Sequence, residues 1–122
     1  MTELNFEKLL LEAVNESLSS LGESPKQAIY FHLEKSFHVR KHEIPYKIET
    51  FASAIEKIFG SGASLIEIMI MKRLYEKVEP AVTLRGYKDF TFIEYVANVK
   101  QSISLVGNSG RALAKTSRAT TE

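Results

Sequence analysis

His32, His38 and His42 stand close to Glu34 and Glu43 in this chain of 122 residues. Imidazoles and carboxylates are the donors that gather on a divalent ion such as zinc. Spacing decides whether they can converge. His38 and His42 share a face only if residues 38–42 are helical, and Pro45 soon afterwards disfavours helical geometry at Ile44. His32 would need a particular fold-back to supply a third ligand. The expected reading is three partly exposed histidines in a basic loop, with a metal-binding sensor as a lesser alternative and no metal or cofactor assigned.

The same stretch holds Arg40, Lys41, His42 and Lys47, a cluster able to contact phosphates, with Arg111, Lys115 and Arg118 further along. A nucleic-acid-binding regulator using residues 38–47 and the basic C-terminal segment is therefore the main alternative function. A helix-turn-helix is not expected. Its recognition helix would follow the Gly60-Ser61-Gly62 corner and present polar residues, whereas this helix begins with Leu65, Ile66, Ile68 and Met69. The corner also lacks the lysine of a phosphate-binding loop and follows a helix, so tight-turn geometry explains its glycines. Asp89 is the only aspartate and no Ser, His and Asp set stands out, so a non-enzymatic protein is expected.

Five helices must position these residues. Phe6, Leu10, Val14, Leu18 and Leu21 recur every three or four residues and predict a helix over 4–21. Ser24 as N-cap, Pro25 at the first helical position and Gln27 reaching back predict a second over 25–37, burying Ile29, Leu33 and Phe37. After the 38–45 connector, Ile48, Phe51, Ile55, Ile58 and Phe59 predict a third over 47–59, closed by Gly60. Ser64 and Glu67 form a capping box for a fourth over 63–78, stopped by Pro80. Asp89 then caps a fifth over 89–106, carrying Phe92, Val96, Val99, Ile103 and Val106 in heptad-like steps. A β-hairpin pairing residues 81–84 with 90–95 competes, because those residues favour strands. Residues 1–106 are expected to form one all-α bundle, and 107–122 a flexible, disordered tail.

Bulk properties agree with a folded domain. Hydrophobic residues make up 44% and charged residues 25% of the sequence, with a net charge of +1, which excludes a disordered composition. Cysteine is absent, removing thiolate catalysis, disulfides and cysteine-based metal sites, and a reducing cytoplasm is the simplest compartment. The apolar stretch from Leu65 to Met71 is interrupted by Glu67 and is too short to span a bilayer, so no membrane partner is expected.

Several runs together resemble an archaeal family called Nitrosopumilus output domain 5. They are Ser20-Leu-Gly-Glu-Ser, Ala28-Ile-Tyr-Phe-His-Leu-Glu-Lys-Ser-Phe, Glu43-Ile-Pro, Phe51 with Glu56-Lys-Ile-Phe-Gly-Ser-Gly-Ala, and Ile66-Glu through Lys72-Arg-Leu-Tyr-Glu-Lys. The likeness covers residues 8–78, continues weakly into 92–99 and omits the C-terminal segment. It implies a helical module named as an output element of signalling systems, found alone or beside other modules. No catalytic, cofactor or ligand-binding residue comes with it.

The fourth helix carries more apolar surface than one face holds, and the fifth has the spacing of a helix–helix seam. A homodimer is therefore expected, with Ile66, Met69, Ile70, Tyr75, Phe92, Val96, Val99 and Ile103 as its interface. The functional expectation is a dimerising protein-interaction module, an output or adaptor element in archaeal regulation, with a further protein partner open to it.

Overall fold

The computed structural model describes residues 5–78 and 90–112, the last seven of them by backbone alone. Five α-helices occur among them, α1 Phe6–Ser19, α2 Glu23–Phe37, α3 Ile48–Phe59, α4 Ala63–Val78 and α5 Phe92–Ala112, and no strand. The all-α architecture and the order of elements match the expectation from periodicity.

Local chemistry explains the boundaries. Asn5 caps α1 by accepting the Lys8 amide on Oδ1 at 3.0 Å, a bond that satisfies one free donor of the first turn. Phe6, Leu10, Val14 and Leu18 are buried as predicted, but Leu21 lies beyond the helix end and is exposed. The start of α2 differs from the expected Ser24 cap. Gly22 is the N-cap at φ +112°, and Pro25 falls inside the first turn, where its missing N–H costs no helical bond. A side chain at Gly22 would be strained by that φ and would also crowd Pro25 Cδ at 3.3 Å. Gln27 reaches back to the Glu23 carboxylate, at 2.8 Å, rather than to a Ser24 cap.

The connector after α2 is more ordered than its broken periodicity suggested. His38 ends α2 in the left-handed conformation, and the Val39 amide donates to the Leu33 carbonyl at 3.0 Å. Lys41–Tyr46 then form a 3-10 helix, started by the Arg40 amide donating to Glu43 Oε1 at 2.9 Å. Val39 and Ile44 are fully buried, so the basic stretch is pinned to the core on both sides of its cations.

Gly60 closes α3 as expected, and a single 3-10 turn, Gly60–Gly62, feeds directly into α4. Ser64 consequently sits inside α4 instead of capping it. At α5 the cap is Thr91, not Asp89, which lies outside the described residues along with the rest of the predicted 81–88 linker. The Thr91 amide donates to Glu94 Oε1 at 3.0 Å while the Glu94 amide donates to Thr91 Oγ1 at 3.2 Å, a reciprocal capping box. Residues 92–95 are helical, which rules them out as the second strand of a hairpin. α5 also continues past Val106 to Ala112, so the first part of the predicted tail is helix; residues 113–122 lie outside the described residues.

α4 is the axis of the bundle. It packs most extensively on α1 and also against α3 and α5. Lys77 Nζ reaches Glu16 at 2.9 Å and Glu12 at 3.6 Å, and Arg73 reaches Glu16 at 3.7 Å, fixing the register of α4 on α1 from the solvent side. No helix among the described residues is long and apolar enough to cross a membrane.

Candidate interaction surface

The central position of α4 decides the fate of the predicted dimer seam. Ile66, Ile70, Phe92, Val96, Val99 and Ile103 are buried in the protomer's own core, and Met69 and Tyr75 are half-buried against it. The six buried ones are not available to a second chain in this fold. The physical reason is that α1, α3 and α5 enclose most of the circumference of α4, and the heptad-like stripe of α5 is spent inside the same protomer.

Two aliphatic residues of α4 escape that enclosure. Leu65 is 67% and Ile68 46% exposed, and both sit on the stripe that continues through the exposed Lys72 and Glu76, directly opposite the buried Ile66, Ile70 and Leu74. Neither was singled out as an interface residue from sequence. The available signal was angular: at i, i+3, i+7 and i+11 they share one line on a helical wheel, half a turn from the core line. Glu67 flanks the stripe, and burial, followed by the neighbouring Glu56 carboxylate, raises its pKa above the ordinary carboxylate value.

The three histidines do not converge. His32 is exposed in the body of α2, edge-on to Phe31 with ring centroids 5.7 Å apart; His38 is the exposed cap; His42 is exposed in the 3-10 helix. No group of three His, Cys, Asp or Glu side chains able to hold a metal ion occurs among the described residues.

The predicted phosphate contacts are distributed around their own carboxylates. Arg40 stands 3.9 Å from Glu34, both largely exposed. Lys47 bonds to Glu43 at 3.3 Å and to the His38 carbonyl at 3.2 Å. Arg40 donates its amide to Glu43, and this bond, helped by Lys47 and His42, holds the Glu43 carboxyl below its ordinary range. Lys41 lies over the Tyr30 ring, 5.0 Å from its centroid. Tyr30 in turn donates to Asn15 Oδ1 at 3.1 Å, and burial pushes its phenol up to about 12.

Two large aromatic side chains are left in solvent beside these cations, and sequence reasoning passed over both. Phe31, 59% exposed, has Lys35 Nζ 6.0 Å from its ring centroid; Tyr46, 70% exposed, borders a depression that it shares with Lys47 and Lys100. No protein-family model, curated protein or solved structure matches the chain.

Proposed function

We propose that the chain is a non-enzymatic helical interaction module that self-associates through the outward stripe of α4, serving as an output or adaptor element in archaeal regulation. The observation that carries the contact is the exposure of Leu65 and Ile68 side by side on the solvent line of the central helix. Burying an aliphatic side chain of this size completely is worth about 1.5–3 kcal/mol, and a second copy can recover the part these two still leave in water.

A two-fold contact is self-complementary by construction. An antiparallel pair of α4 helices crossing near Ile68 would lay Leu65 along the aliphatic stem of the second copy's Lys72. The apolar area is small, so the dimer is weak and depends on concentration. The regulatory role rests on the family resemblance of residues 8–78, and the cysteine-free composition suits a reducing cytoplasm.

Multi-angle light scattering tests the contact. The wild-type mass should rise with concentration, and Leu65→Glu with Ile68→Glu should return it to the monomer without loss of helicity. A double variant that stays as large as the wild type removes this surface from consideration.

A further inference from the structure

We propose that the surface running from α2 across the 3-10 helix to α5 binds single-stranded nucleic acid, with Phe31 and Tyr46 as base-stacking platforms. Its continuity follows from shared walls. One shallow depression is bounded by Phe31, Glu34 and Lys35; the next includes the same Glu34 with His38, Arg40 and Lys47; the third includes the same Lys47 with Tyr46 and Lys100. The result is a furrow with an exposed aromatic ring in each of its outer sections and with Lys35, Arg40, Lys47 and Lys100 interleaved with carboxylates along it.

The chemistry selects the occupant. Flat rings that face water gain most from another flat ring, and a nucleobase offers one irrespective of its identity. In a duplex the bases are already stacked on one another, so only a splayed single strand can meet both rings. Lys35, Arg40, Lys47 and Lys100 supply phosphate contacts between and beyond them. Glu34, Glu43 and Glu49 also border the furrow. Glu34 pairs with Arg40 at 3.9 Å with both side chains largely exposed, a contact weak enough for a phosphate to replace, whereas Lys47 keeps its bonds to Glu43 and to the His38 carbonyl and adds its charge from there.

Fluorescence anisotropy of a fluorescein-labelled oligothymidylate, titrated with the full chain, tests the proposal. Saturable binding at low salt that weakens steeply as salt is added is expected. Phe31→Ala with Tyr46→Ala should lower the affinity about tenfold or more, since each of the two stacked bases contributes about fivefold or more. Phe31→Leu with Tyr46→Leu, which keeps apolar bulk but no flat face, should lose a similar factor. Lys35→Gln with Lys100→Gln should flatten the salt dependence. Absence of saturable binding at low salt, equal affinity for a blunt duplex, or undiminished binding by the two aromatic double variants with helicity intact would overturn it.

Discussion

Among the described residues His38 is the only non-glycine with positive φ, at 59°. Its side chain is crowded by its own backbone there, at a cost of about 1–2 kcal/mol, and glycine would relieve the crowding while adding freedom to the unfolded chain. His38→Gly is expected to stabilise the protein by about 0.5–1 kcal/mol in urea denaturation; destabilisation would show that the imidazole makes a compensating contact. Glu67 presents the opposite situation, a carboxyl whose raised pKa means that the folded state prefers it protonated. The stability linked to that shift is fully present below the ordinary pKa of 4.5 and is lost as pH rises through the folded value. Glu67→Gln should therefore raise the melting temperature at pH 7 and leave it nearly unchanged well below pH 4.5; an equal effect at both would refute the linkage. At this level the sequence was least legible. The spacing of His32, His38 and His42 and the nearby Pro45 pointed to exposed, separate histidines, but not to the left-handed cap and 3-10 turn that hold them so, and the exposure of Phe31 and Tyr46 depends on packing that neighbouring residues do not encode.

The helices were far more legible, because burial of one stripe imposes a period that survives in the residue types. Leu10, Val14 and Leu18 in α1 and Phe51 and Ile55 in α3 are core, as their spacing predicted, whereas Phe92, Val96 and Val99 in α5, expected at a dimer seam, are core of the protomer instead. Helix ends were harder. Ser24 and Ser64 have the composition of caps, yet Gly22 caps α2 and starts it at Glu23 rather than 25, and α4, with the predicted bounds 63–78, follows the Gly60–Gly62 turn with Ser64 inside it. Backbone freedom at glycine competes with side-chain capping, and composition does not reveal which wins. The same burial changes what a substitution in α5 does. Val99 is fully enclosed, so Val99→Asp places a charge in the core and is expected to cost more than about 4 kcal/mol, abolishing cooperative unfolding by circular dichroism. A folded Val99→Asp monomer would instead return this position to an interface.

Across the whole molecule, one arrangement governs the rest: α4 runs through the bundle with α1, α3 and α5 around it. Sequence patterning showed that the apolar surface of α4 exceeds one face, and a second chain was the expected cover for the excess. The chain itself covers Ile66, Ile70, Met71 and Leu74 and part of Met69. What remains is the pair Leu65 and Ile68 with the charged residues Lys72 and Glu76 further along the line, the surface proposed above to meet a second copy. The expected association is correspondingly weak, and its reversibility is the property to measure. Sedimentation equilibrium of the unaltered chain over a wide concentration range is the most direct test. The weight-average mass should climb smoothly and reversibly from 13.8 kDa towards twice that value. A mass that stays at 13.8 kDa up to the highest concentration would contradict self-association through α4.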